Sequence, residues 1–111
     1  FEDNAIARDV TEQLLRREPD LVALYVAGGG MPGALEALRT SGRAGELVIL
    51  GNDLTEHTRL GLIDHVLAMV FAHPLQRLAV ETLTHLQREL ASGTPPTKRL
   101  LAFDIYGPEN V

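Results

Sequence analysis

Gly28, Gly30 and Gly33 spell G-x-G-x-x-G within the stretch VAGGGMPGA, and Asp53 lies 20 residues beyond the last of them. In a dinucleotide-binding turn such glycines permit a tight corner, backbone approach to a pyrophosphate and close helix packing. An acid about 20 residues on then holds a ribose hydroxyl. The same glycines equally suit a plain strand-to-helix corner. Against the nucleotide stand a loop without Lys or Arg, no catalytic group to accompany a cofactor, and a short following helix. That helix runs only roughly eight to ten residues by its pattern.

Asp53 and His73 form a second pair, again 20 positions apart. Each closes an apolar run that reads as a strand, so both belong to a carboxyl edge where ligands of open α/β sheets collect. An ionised carboxylate accepts two hydroxyl hydrogen bonds, and a neutral imidazole donates through one nitrogen and accepts through the other. The structural alternatives are that Asp53 caps a helix starting near Thr55 and that His73 caps or packs before Pro74. Gly28, Gly29 and Gly30 either bring backbone N–H groups to a ligand or only make the turn.

Other chemistry finds little support. His57, His65, His73 and His85 include no pair spaced i, i+4, and the chain has no Cys and no H-E-x-x-H. Neither a metal site nor a cofactor is expected. No Ser sits in a G-x-S-x-G elbow, and Asp64-His65 falls in a helix-end turn. With no catalytic constellation, a binding protein is expected rather than an enzyme.

The elements that carry these residues alternate. Asp3 and Asn4 cap a helix bearing Ile6, Val10 and Leu14 at helical spacing, which ends near Glu18 because Pro19 follows. LVALYVA (21–27) is a continuous apolar run suited to a strand covered on both faces. A helix over 32–40 follows, with Pro32 in its first turn and Ser41-Gly42 at its end. GELVILG (45–51) is a second strand, Thr55 and Glu56 open a helix with Leu60, Leu62 and Ile63, and LAMVFA (67–72) is a third strand. Pro74 opens the longest helix, to 91. There Leu75, Leu78, Ala79, Leu83, Leu86 and Leu90 make a stripe read as core. TPPTK (94–98) is a turn or linker, and RLLAFDIY (99–106) a last strand. This alternation predicts an α/β fold with a parallel sheet and right-handed crossovers.

Composition sets the limits. The chain has 111 residues, 45% hydrophobic, enough for one domain with a single core. A net charge of −5 without a basic cluster argues against this segment gripping nucleic acid. No apolar stretch approaches the roughly 20 residues of a membrane span, and no signal-peptide pattern is visible. The chain starts at Phe1 rather than Met, so a processed or truncated piece is expected.

RAGELVILGNDLTEHTRLGLIDHVLAMVFAHP resembles the C-terminal part of a type I periplasmic-binding-protein fold. That fold is shared by LacI-type transcription regulators and ribose-binding-type periplasmic proteins. ELVILGND is similar to the family's strand ending in a Gly-x-Asp turn, whose Asp binds sugar hydroxyls. LIDHVLAMVFAHP is similar to the next helix end, strand and polar residue before Pro. RLLAFDIYGPENV resembles the last strand and tail common among the regulators. Two departures stand out: YVAGGGM lacks the amide or acid the family often has after the first strand, and His73 replaces the more frequent Gln or other amide.

The resemblance implies a three-layer α/β fold, a parallel sheet with helices on both faces. It implies that residues 1–111 are an incomplete effector-binding domain, without the N-terminal subdomain or a DNA-binding headpiece. The implied function is the ligand-sensing part of a LacI-type regulator. It would bind a sugar-like effector through Asp53, His73, Gly28, Gly29 and Gly30 and act on operator DNA only through an upstream domain. A cytoplasmic homodimer is expected, with or without exchanged segments. The alternatives are a periplasmic sugar-binding protein of an ABC transporter and, from another class, a Rossmann-type NAD(P)-binding enzyme domain.

Overall fold

The computed structural model describes residues 3–93, 95 and 97–111. The expected 94–98 turn therefore falls partly outside the described residues, at Thr94 and Pro96. The chain divides into two compact units rather than the one domain that composition suggested. One runs to Ala72 and resumes at Ile105–Val111; the other is His73–Asp104. The physical reason is that every buried hydrophobic side chain among the described residues belongs to the first unit.

In the first unit, α1 (Asn4–Arg17) begins at Asp3, whose carboxylate accepts from the N–H groups of Ala5 at 2.7 Å and Ile6 at 3.3 Å. These are donors that a helix N-terminus otherwise leaves without partners. Arg16 and Arg17 in the last turn complement the helix dipole. β1 (Ala23–Val26) leads through the glycines to α2 (Met31–Ser41), which is bounded by left-handed Gly30 (φ 77°) and Gly42 (φ 71°). A 3-10 turn (Ala44–Glu46) occupies the start of the expected second strand, and β2 runs only from Val48 to Asn52. α3 (Glu56–Ile63) and β3 (Met69–Ala72) follow.

With β4 at Asp104–Tyr106, the sheet order is β1-β2-β3-β4, with β1 parallel to β2 and β2 parallel to β3. Right-handed crossovers in sequential order place α2 and α3 on the same face. That face holds the core: Leu15 of α1, Met31, Leu35 and Leu38 of α2, Leu62 of α3, and Ile49 and Val70 from the strands. Burying each such side chain stabilises the unit by about 1.5–3 kcal/mol. Because side chains alternate along a strand, Tyr25, Val48, Leu50, Met69 and Phe71 point to the opposite face. Tyr25 is 52% and Val48 53% exposed, so the expectation that LVALYVA is covered on both faces does not hold.

In the second unit, α4 (Leu75–Ser92) ends at left-handed Gly93, and none of its residues is buried. The stripe read as core is solvent-facing, with Leu83 62% and Leu90 83% exposed. The expected strand over 99–106 shrinks to β4 (Asp104–Tyr106), of which only Asp104 belongs to this unit. The preceding residues bond to α4 side chains instead: Thr97 N–H donates to Glu89 at 2.7 Å, and Arg77 donates to the Ala102 carbonyl at 3.1 Å.

Candidate functional site

The carboxyl ends of β1 and β2 lie side by side, since Val26 is in register with Gly51. The turns that follow them carry Gly28–Gly30 and Asp53. Asn52 ties these turns together: its amide donates to the Ala27 carbonyl at 2.8 Å, and its side-chain oxygen accepts from the Tyr25 phenol at 2.9 Å. Phe71 meets Tyr25 edge to face, with ring centroids 6.3 Å apart. Sequence reasoning missed both Asn52 and Tyr25. The amide expected after β1 is absent there, yet an amide reaches the same turn from β2.

Asp53 is exposed and has φ 61°, in the left-handed region that non-glycine residues seldom occupy. Two short hydrogen bonds hold its backbone: its N–H donates to the Phe71 carbonyl at 2.7 Å, and its carbonyl accepts from the Thr58 hydroxyl at 2.7 Å. The N-cap of α3 is Thr55, whose hydroxyl accepts from Thr58 N–H. The N-cap role therefore belongs to Thr55 and not to Asp53.

The glycines divide by role. Gly28 and Gly29 are exposed at the edge. Gly30 is buried, and a Cβ added there would stand 2.5 Å from the Cβ of Ala7. A Cβ on Gly33 would overlap the Asn4 carbonyl oxygen and lie 2.8 Å from its carbon. Two glycines of the G-x-G-x-x-G pattern thus let α2 approach α1, which is a packing requirement of the protein itself.

His73 directly follows β3, is exposed, and opens the second unit. His57, His65 and His85 do not join it: among the described residues no group of three or more His, Cys, Asp or Glu is placed to hold a metal ion. Among the same residues no helix is long and apolar enough to cross a membrane.

No family model matches the sequence, and no curated protein matches it. Solved structures do match. A sugar-binding protein of a sugar ABC transporter from Bacillus halodurans superposes with a TM-score of 0.85 at 23% identity, over 98% of this chain and 42% of its own. A periplasmic solute-binding protein of an ABC transporter from Actinobacillus succinogenes, with bound D-allose, gives 0.83 at 14% identity over 98% and 38%. The fructose-binding periplasmic domain of a hybrid two-component system gives 0.79 at 22% identity over 97% and 37%. The chain therefore spans about two fifths of the length of the structures it is similar to. Its α/β architecture, with a parallel-dominated sheet, is that of periplasmic sugar-binding proteins.

Proposed function

We propose that the chain is the sugar-binding part of a periplasmic-binding-protein-type module, taking a hydroxylated small molecule at the carboxyl edge of β1 and β2. The observation that carries this reading is Asp53: an exposed carboxylate on that edge, held in a costly backbone conformation by two short hydrogen bonds. Strained residues of this kind concentrate at functional sites. Asp53 accepts hydroxyl hydrogen bonds, and the exposed residues Gly28 and Gly29 let a ligand approach the backbone of the same edge; Gly30 serves packing first. His73 is the second side-chain candidate. The role is binding, not catalysis.

The solute receptor of a transporter is the leading form of this reading, because two of the similar structures belong to ABC transporters. It places the protein in the periplasm. The regulator is the second form, supported by the closing GPEN tail. There Asn110 accepts from Gly107 N–H at 2.6 Å and donates to the Ile105 carbonyl at 3.1 Å. That form carries the expectations of a cytoplasmic homodimer and of operator DNA bound through an upstream domain.

Thermal-shift measurements with D-allose, D-fructose, NAD and ATP test the proposal. A ligand that binds only the folded state stabilises it by about 2.7 kcal/mol at a hundred times Kd. The expected result is a shift with a sugar, lost in Asp53→Ala and reduced in His73→Ala. A shift with NAD alone overturns the proposal and makes the glycine turn a phosphate site. No shift with any sugar counts against a binding edge in this chain.

A further inference from the structure

We propose that Thr58 is a positioning residue: its hydroxyl clamps the backbone of Asp53 in the left-handed conformation that presents the carboxylate. Its functional consequence rests on the reading of Asp53 as a ligand acceptor; the clamp itself does not. Thr58 is 1% exposed and lies in the first turn of α3, five residues beyond Asp53. Its hydroxyl proton goes to the Asp53 carbonyl at 2.7 Å, while its oxygen accepts from Thr55 N–H at 2.8 Å. One buried hydroxyl therefore closes the loop between β2 and α3 from within.

The clamp is needed because left-handed backbone is unfavourable for any residue with a Cβ, and Asp, though among the better tolerated, still resists it. The Phe71 carbonyl fixes the N–H side of Asp53. The Thr58 hydroxyl holds the carbonyl side, so the two bonds together orient the peptide planes on either side of Asp53. Serine keeps the hydroxyl. Valine keeps the shape and removes it, so the part-buried Thr55 N–H and Asp53 carbonyl both lose the Thr58 oxygen.

The experiment uses the isotope-labelled 111-residue chain without ligand. A left-handed residue places its amide and α protons close together and gives a strong contact between them in NMR spectra. Amide exchange at residue 53 reports the bond to Phe71. Wild type and Thr58→Ser are expected to show both signatures, and Thr58→Val to lose both. Asp53→Gly added to Thr58→Val is expected to restore the slow exchange, because glycine holds the left-handed region unaided. Thr58→Val with both signatures intact overturns the clamp. So does a double variant that exchanges as fast as Thr58→Val, or that unfolds along with it, since Thr58 then serves the fold generally.

D-Allose binding is measured separately on the same proteins. Loss of the signatures in Thr58→Val, together with unimpaired binding by Asp53→Asn, supports the clamp and removes the ligand role of Asp53.

Discussion

Replacing Gly33 by Ala separates packing from ligand binding as the reason for the glycine pattern. The added methyl would overlap the Asn4 carbonyl oxygen and lie 2.8 Å from its carbon and 3.0 Å from the Arg8 nitrogen. All three are backbone atoms of α1, so no side-chain rotation relieves the clash and the two helices must move apart. Forced rearrangement of this kind costs about 1–3 kcal/mol, and rigid backbone on the opposing side places this case near 3. Alanine's better helix propensity returns at most about 1 kcal/mol. The net loss is about 2 kcal/mol, which lowers the melting temperature by roughly 8–16 °C in a unit of this size.

Two other glycines calibrate the result. Gly42 has φ 71° and open space around it, so Gly42→Ala measures backbone strain alone, about 1–2 kcal/mol. Gly45 has neither constraint, and Gly45→Ala is expected within about 1 kcal/mol of wild type. Thermal unfolding followed by circular dichroism gives the ranking, and faster amide exchange along α1 locates the damage in Gly33→Ala. If Gly33→Ala melts together with Gly45→Ala, the helix-packing argument fails. If it keeps its stability and loses affinity for NAD, the glycines form a nucleotide turn after all.

Arg43 donates to the carbonyls of Leu15, Glu18, Pro19 and Leu21 at 2.8–3.2 Å, around the end of α1. Arg43→Met is expected to cost about 2 kcal/mol in urea unfolding, since water replaces part of the charged hydrogen bonding. Arg43→Lys should recover less than half, because an ammonium cannot fork across several carbonyls. Leu83→Glu is expected to change stability by no more than about 0.5 kcal/mol, as for other exposed positions; a loss of several kcal/mol would return the α4 stripe to a core. Glu89 accepts from the N–H and hydroxyl of Thr97, which together with nearby His85 hold its carboxyl below its ordinary value. A depressed carboxyl stabilises the folded form above its unfolded value and loses that contribution as pH falls through the folded one. The Thr97 amide resonance should therefore shift at a pH below the ordinary carboxylate range, and a midpoint at or above the ordinary value refutes the clasp.

Much of the fold was legible because it rests on local signals. Asp3 before an apolar periodic stretch marked a helix start, Pro19 a helix end, and Gly42 and Gly93 the left-handed stops that glycine provides. What escaped depends on partners far apart in sequence. Arg43 reaches carbonyls 22 to 28 positions away, and nothing in its neighbours marks it as the clasp of α1. Residues 99–103 read as part of a last strand, but there the Ala102 carbonyl is engaged by Arg77 of α4. The Leu stripe had the period of a buried helix. Periodicity shows that one face of a helix is apolar, and says nothing about whether another element covers it.

The candidate site shows the same division more sharply. Asp53 was legible as a candidate from chemistry and position: a carboxylate closing an apolar strand at the carboxyl edge of the sheet. Its left-handed backbone was not, because the expected glycine at such a bend is missing and Gly51 lies two residues earlier, inside β2. A sequence that only needed a turn would place glycine at position 53 and avoid the strain. Keeping a side chain there costs stability, which the bond from buried Thr58 to the Asp53 carbonyl offsets. The glycines argue in the opposite direction. Gly33 resembles a ligand motif in one dimension, yet Asn4 and Arg8 occupy the space its absent side chain leaves. The strained carboxylate of Asp53 motivates the proposed site; where the chain omits a side chain to admit a neighbouring helix, packing is sufficient.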